Sequence, residues 1–175
     1  MARTGRVPGP DEVADRLAIQ DVIARHSRGI DRADDAVLSS TYWPDATVAY
    51  GGFNGNAHEF CEMLPGAIRV YTRTQHVISN TCIEFRNDRA LAETYVTAYH
   101  YRTDPGGDDT EMTYLGRYLD TLQKRDDVWK ILHRQVVMDW NQNTRATATL
   151  EGPPFDGVAR GCRHPDDPLD HLLGS

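Results

Sequence analysis

The sequence is poor in lysine, in paired cysteines and in long apolar runs, and each shortage excludes a class of protein. Its lysines are Lys124 and Lys130, and with 19 basic against 26 acidic residues its net charge is −7. Because an acidic surface repels phosphate groups, neither nucleic acid nor a membrane surface is expected as a partner. No stretch approaches the roughly 18 apolar residues of a membrane-spanning helix.

Motifs for metal or cofactor binding are also missing. Cys61, Cys82 and Cys162 lie far apart with no CxxC pair, which disfavours a disulfide framework or a zinc knuckle and fits reduced thiols in the cytoplasm. The seven histidines form no HExxH motif, and no GxGxxG, Walker or GxSxG motif occurs. We therefore expect chemistry without a metal or cofactor, namely proton transfer on a small, largely apolar molecule.

The length and composition predict one domain with loose ends. A chain of 175 residues suits a single domain. Residues 1–10 are expected to form a flexible arm, 11–140 the folded domain, and the proline-rich segment 141–175 an irregular tail. The tail is either disordered or covers a cavity mouth or a neighbouring subunit. In the second case its apolar anchors would be Phe155, Leu169, Leu172 and Leu173.

Apolar periodicity predicts helices first and strands afterwards, an α+β order. Helices are expected over 11–29, with Asp11 as N-cap, over 34–42 and over 56–68. Short turns between the later strands favour an antiparallel meander. The predicted strands are 47–50, 72–86, 89–102, 111–124 and 128–140.

Several polar residues occupy positions where the strand pattern calls for apolar or small ones. In 89–102 one face carries small residues and ends at His100, which suits a pocket wall. In 128–140 Arg134 has apolar neighbours on its own face, Leu132 and Val136. In 72–86 His76 is expected to share a face with Ile78, Asn80 and Cys82. Each of these has a structural alternative, a satisfied core histidine or a buried ion pair.

The first helix adds His26 on its apolar stripe and Asp31 at its end. His26 could simply bond a core carbonyl. Taken together, however, the inward-facing polar residues predict a lined polar pocket. A histidine paired with a carboxylate is an oriented general base, because the carboxylate fixes the tautomer and stabilises the imidazolium.

Four sequence segments carry a resemblance to a known family. They are Arg16–Asp21, Gly29–Asp31, Tyr42–Ala46 and Arg125–Lys130. In this order and spacing the chain resembles the SnoaL-like branch of the nuclear transport factor 2-like superfamily over about residues 11–140. The resemblance implies an α+β cone in which helices pack into a strongly curved antiparallel sheet.

Within that superfamily the chain is most similar in pattern to hexachlorocyclohexane dehydrochlorinase, scytalone dehydratase and bile-acid 7α-dehydratase. These are cofactor-free lyases with an Asp–His dyad. By resemblance Asp31 is the dyad carboxylate and His76 the base. A lyase on a small cyclic molecule is therefore expected. An isomerase of the ketosteroid isomerase type, a polyketide cyclase or a non-catalytic accessory subunit stays open, since the fold serves all of them.

The resemblance implies roles for four further residues. Arg134 falls where the dehydrochlorinase has an inward arginine that assists the leaving group. His26 lies where those lyases carry a Lys or Tyr that faces the cavity. His100 lies on the strand where the dehydratases place a second polar residue, and Tyr50 matches a substrate-binding tyrosine.

The sequence also predicts self-association. Apolar residues are expected on the outer face of the sheet, more than a free monomer tolerates, so a homodimer or homotrimer is predicted. These outer residues are Val77, Ile83, Phe85, Tyr95, Leu115 and Leu119.

Overall fold

The computed structural model describes residues 5–103 and 105–174. Residues 1–4 of the predicted arm lie outside the described residues. The helices are α1 (Pro10–Arg32), α2 (Asp35–Ser40), α3 (Ala57–Ile68) and α4 (Pro168–Leu173). The strands are β1 (Tyr42–Tyr50), β2 (Phe53–Asn56), β3 (Arg73–Arg86), β4 (Arg89–Thr103), β5 (Asp109–Arg125) and β6 (Val128–Arg145). In this part of the chain no helix is long and apolar enough to cross a membrane.

All six strands form one sheet in the order β2-β1-β6-β5-β4-β3. The meander from β3 to β6 is antiparallel, as predicted, and tight turns join two of its hairpins. Asn87, Asp126 and Asp127 adopt positive φ angles there, which short-chain polar residues tolerate. β1 runs parallel to β6, so the sheet is mixed and larger than the four-stranded meander expected. The α+β class and the cone-like arrangement of helices against the sheet are confirmed.

Helix α1 is longer at both ends than its apolar stripe predicted. It begins at Pro10 after Gly9, so the expectation that Asp11 is the N-cap is wrong. Proline at the first helical position needs no hydrogen-bond partner for its nitrogen. The helix ends where Ala33 adopts a left-handed conformation, and Asp31 consequently lies inside its last turn.

Bulges change which residues of two strands face inward. A register shift between Ile78 and Thr81 puts Ile83 and Phe85 against the core, so their predicted place on the outer face is wrong. For the same reason Cys82 is exposed rather than sharing the face of His76. A second shift opposite Thr121 makes Leu132 an extra residue in β6, and Arg134 therefore faces inward with Ile131.

The segment after β6 is irregular and is fixed by polar contacts. β6 itself continues to Arg145, because its last residues pair with β5. Asp167 accepts hydrogen bonds from the backbone N–H groups of Leu169 and Cys162. Its carboxylate also pairs with Arg32 at 3.1 Å. Of the four apolar anchors proposed from the sequence, Leu169 is half-buried, and Phe155, Leu172 and Leu173 are exposed.

Candidate functional site

The last turn of α1 brings Asp31 against the edge strand β3, where it meets His76. The Nδ1–H of His76 donates to Oδ1 of Asp31 at 2.7 Å. The backbone N–H of His76 donates to the other carboxylate oxygen at 2.8 Å. Both oxygens of Asp31 are thereby engaged by one residue, so the two side chains are held in a fixed mutual orientation.

The electrostatics of this pair suit a base. Burial raises the pKa of the Asp31 carboxyl, but the hydrogen bonds and charge of His76 outweigh burial, and the pKa lies below its ordinary value. The ionised carboxylate fixes the proton of His76 on Nδ1 and leaves a lone pair on Nε2. Nε2 has no hydrogen-bond partner among the described residues, although the side chain is 3% exposed. An oriented, water-poor imidazole with a free nitrogen can accept a proton from carbon.

The dyad borders a cleft of about 750 Å³ between α1, β3, β4 and the tail. We use "the cleft" for this cavity throughout. Its wall includes aliphatic and aromatic groups such as Ile78 and Tyr99, together with several arginines. The volume suits a small organic molecule.

His100 forms the next part of the wall. Its ring contacts His76 edge-on with centroids 5.6 Å apart, and Tyr71 packs on it at 4.6 Å. Burial, with the proximity of His76 adding to it, lowers the pKa of His100 to about 4. The imidazole is therefore neutral at physiological pH. Its Nδ1 atom is buried without a hydrogen-bond partner in the described part of the chain.

His26 and Arg134 belong to a second, fully buried cluster with Asp120 and Tyr42. Arg134 donates through Nε and Nη2 to the two oxygens of Asp120, at 2.7 and 2.6 Å. Its Nη1 donates to Nδ1 of His26 at 2.6 Å. Because an arginine only donates, Nδ1 of His26 must be the acceptor, and its Nε2–H then donates to the hydroxyl of Tyr42 at 2.9 Å. Burial, followed by the charge of Arg134, lowers the pKa of His26 well below its ordinary value.

This cluster changes the roles expected for Arg134 and His26. Neither Arg134 nor His26 is among the described residues that line the cleft. Arg134 is completely buried, and its guanidinium is held by Asp120 and His26. It therefore does not reach the cleft, where the sequence predicted its contact with a leaving group. Tyr50 is also not part of the cleft wall. Its ring packs on that of Phe60, with the centroids 4.8 Å apart. Of the residues predicted for the site, the structure gathers Asp31, His76 and His100 at the cleft.

Sequence reasoning missed four arginines that line the cleft, Arg28, Arg32, Arg73 and Arg163. Arg163 comes from the tail and donates to the backbone carbonyls of Asp31 and Tyr71 and to the hydroxyl of Thr74. No local pattern could identify it, since its contacts lie about ninety residues or more away in the chain. Arg28 could have been found, because a residue three positions before Asp31 lies on the same face of a helix.

One group of side chains has the composition of a metal site. Donor atoms of Asp34, His164 and Asp170 all lie within 4.8 Å of one another. A hydrogen bond from His164 to Asp170 accounts for their proximity, and it raises the pKa of the imidazole more than burial lowers it. None of the three residues belongs to the Asp31–His76 pair or is among the described residues that line the cleft.

Comparisons with known proteins agree with this architecture. The chain is 26% identical to the uncharacterized protein Rv2910c of Mycobacterium tuberculosis over 127 residues, covering 70% of this chain and 84% of that one. The hexachlorocyclohexane dehydrochlorinase LinA-type3 of Novosphingobium barchaimii superposes with a TM-score of 0.68 at 23% identity, covering 82% and 98% of the two chains. A provisionally assigned scytalone dehydratase of Novosphingobium aromaticivorans gives a TM-score of 0.66 at 24% identity, covering 79% and 93%.

At these identities the solved structures establish the fold alone. The family assignment comes from the sequence itself, because residues 11–135 match the SnoaL-like domain. That match spans more than half of the chain and includes both residues of the dyad. It confirms the resemblance drawn from the sequence: the chain belongs to the SnoaL-like domain family.

Proposed function

We propose that this protein is a cofactor-free lyase that eliminates a leaving group from a small molecule bound in the cleft. The observation that carries the proposal is the hydrogen bond of 2.7 Å between Asp31 and His76, with Nε2 of His76 left without a partner among the described residues. The names of two similar structures, a dehydrochlorinase and a provisionally assigned dehydratase, support the same class of reaction.

The reaction follows from the protonation states at the dyad. Nε2 of His76 takes a proton from the carbon next to an electron-withdrawing group of the substrate. The electron pair of that C–H bond forms the new double bond, and the leaving group departs with the pair of its own bond to carbon. Asp31 stabilises the imidazolium that forms. The imidazolium then returns its proton to the departed hydroxide or to solvent.

His100 is the group at the cleft that suits the leaving group. Its pKa of about 4 keeps it neutral, so it can offer an N–H donor to a departing hydroxide or halide without competing with His76 for the proton. Its ring contact with His76 places it beside the base. This assignment replaces the role expected for Arg134.

The first prediction concerns the base. A panel of cyclic β-hydroxy ketones and halocarbons is incubated with the protein, and products are identified by mass spectrometry as loss of water or of hydrogen halide. With a substrate found in this way, His76→Ala is expected to lower kcat by about 10²–10⁴-fold, the usual contribution of a general base. Asp31→Asn should act in the same direction, because an amide can leave the imidazole in the wrong tautomer.

The control is His133→Ala, a histidine of β6 that bonds Thr47 and lies outside the cleft wall. It should leave turnover unchanged. Equal turnover by wild type and His76→Ala would refute the proposed base. A product of unchanged mass with its double bond moved would identify an isomerase using the same dyad, and binding without turnover of any compound would favour an accessory role.

A further inference from the structure

Four arginines are among the residues that line the cleft, although the chain as a whole is acidic. They are Arg28, Arg32, Arg73 and Arg163. Two carboxylates lie on the same wall, and one of them, Asp31, is the partner of His76. A concentration of positive charge at the cavity of a protein with a net charge of −7 is a local feature that needs a physical reason.

Two of these arginines have partners within the protein. The guanidinium of Arg32 pairs with Asp167 at 3.1 Å. Arg163 is held by the hydroxyl of Thr74 at 2.8 Å and by the backbone carbonyl of Tyr71 at 3.0 Å. Both side chains contact the tail or its neighbours beside the cleft. Arg163 uses most of its N–H donors, whereas Arg32 is held by an ion pair through Nε.

Arg28 differs, because the carboxylate nearest to it along the helix is already occupied. It precedes Asp31 by three residues, a spacing at which opposite charges on a helix normally pair. Both oxygens of Asp31 accept hydrogen bonds from His76 instead. Among the described residues Arg28 makes no ion pair and no side-chain hydrogen bond, although it is half-buried. Keeping a cation partly out of water without a partner costs free energy, which an anion entering the cleft would recover.

Arg73 begins β3 three residues before His76, so strand alternation puts its side chain on the opposite face, the face of Val77. The residue is exposed, and its side chain donates to the backbone carbonyl of Thr72 at 3.1 Å. Among the described arginines of the cleft, Arg28 is therefore the one without a partner on the side of the base. A carboxylate or another oxyanion offers the acceptors that fit planar guanidinium donors in a bidentate geometry.

We propose that the cleft takes a substrate bearing a carboxylate or another oxyanion, which Arg28 binds while a C–H bond faces Nε2 of His76. The proposal rests on the proposed function for the reaction, but the binding step stands by itself. Arg28 and His76 line the same cleft from α1 and β3, so one small molecule can contact both. The anionic group takes no part in the chemistry and serves to orient the reacting carbon.

The test compares two probes of the same shape, 2-naphthoate and 2-naphthamide, by isothermal titration calorimetry at low ionic strength. Wild type is expected to bind the naphthoate at least about tenfold more tightly than the amide, the ratio that a single charge-assisted contact supplies. Added salt should reduce this preference. Arg28→Gln should abolish most of it, and Arg28→Lys should retain an intermediate preference because the charge remains but the planar fork is lost.

The matched control is Arg25→Gln. Arg25 lies on the same helix, pairs with Asp21 at 2.8 Å and is not part of the cleft wall, so the preference should persist. Inorganic phosphate as competitor separates the two ligand sources: displacement of naphthoate indicates a general oxyanion site, and no displacement indicates selectivity for carboxylate. Circular dichroism verifies that each variant is folded.

Three results would overturn the proposal: equal affinity for both probes, no binding of naphthoate at millimolar concentration, or an unchanged preference in folded Arg28→Gln. His76→Ala distinguishes this inference from the proposed lyase. If the chain has the anion site, His76→Ala keeps the preference for naphthoate whether or not the turnover of a substrate falls. The binding proposal and the lyase proposal are therefore tested independently.

Discussion

The burial of His100 predicts how the free energy of unfolding depends on pH. In the folded protein its pKa is lowered to about 4, whereas an exposed imidazole titrates near 6.5. Between these values the unfolded chain binds the proton more readily than the folded one. The free energy of unfolding therefore decreases as the pH falls through this range, by about 3 kcal/mol at its acidic end. Buried His26 adds a contribution of the same sign.

His100→Phe is accordingly expected to lose part of the acid sensitivity between pH 6.5 and 4 while keeping the ring contact with Tyr71. Urea unfolding at both pH values measures the change, and exposed His171→Ala serves as the control with an unchanged slope. The interpretation fails if His100→Phe shows the same pH dependence as wild type. It would fail equally if stability rose on acidification.

At the residue scale, the sequence predicts which polar side chains face inward but not which of them share a cavity. Helix and strand periodicity placed Asp31, His76 and Arg134 inside, and the structure has all three there. The separation into a cleft and a buried cluster depends on Asp120, which binds Arg134 from the neighbouring strand β5. A carboxylate at an inward strand position can bind a substrate or pair with an arginine. The sequence alone does not decide between the two, because the answer depends on how the strands pack.

At the scale of elements, the type of α1 to α3, β1 and β3 to β6 was predictable, but the short elements β2 and α4 were not predicted. The exact facing of the residues in the strands was not predictable either. The helical stripe of α1 and the tight turns of the meander are strong local signals. The bulge between Ile78 and Thr81 carries no glycine or proline to reveal it. One inserted residue reverses the alternation that follows, which is why Ile83 and Phe85 were expected outside and lie in the core.

Gly116 gives a testable case of such irregularity in β5. It lies at the register shift after Leu115, and an added Cβ would be 2.2 Å from the carbonyl oxygen of Val137 and 2.8 Å from the ring of Tyr114. Because a backbone oxygen cannot move aside without breaking the β5–β6 pairing, Gly116→Ala is expected to cost about 2 kcal/mol or more of the free energy of unfolding.

Chemical denaturation measures this cost. The comparison is Gly55→Ala in β2, where an added Cβ would meet the Phe53 ring at an ordinary 3.5 Å. That variant should stay within about 1 kcal/mol of wild type. Equal effects of the two substitutions would show that the close approach at Gly116 relaxes without disrupting the bulge.

At the scale of the whole molecule, the outer face of the sheet favours self-association. Val77, Thr97, Leu115 and Trp140 are direct neighbours across four successive strands. Trp140 is 53% exposed and Val77 41% exposed. An apolar row of this extent on one open sheet face is typical of a surface that another protein covers.

One cluster of charges on that face is already neutralised within the chain. Arg117 pairs with Glu93 and with Asp139, each at 2.8 Å. A charged group that brings its own partners can be covered at a smaller desolvation cost than an unpaired one. The face therefore combines exposed apolar groups with a satisfied ionic cluster, and a second copy of the chain presenting the same face meets both requirements in a closed, symmetric contact.

The last prediction follows from this face: the protein forms a homodimer through it, because a face that pairs with itself closes with two copies. Of the homodimer and homotrimer expected from the sequence, the face favours the dimer. Light scattering coupled to size exclusion should give a mass twice 19.7 kDa at micromolar concentration. Trp140→Glu should shift the population toward the monomer, because a carboxylate in the apolar row would be buried unpaired on both sides of a symmetric contact. Leu17→Glu, an exposed leucine of α1 away from the sheet, should leave the mass unchanged. A wild-type mass of one chain would refute self-association, and an assembly unaffected by Trp140→Glu would place the contact on another surface.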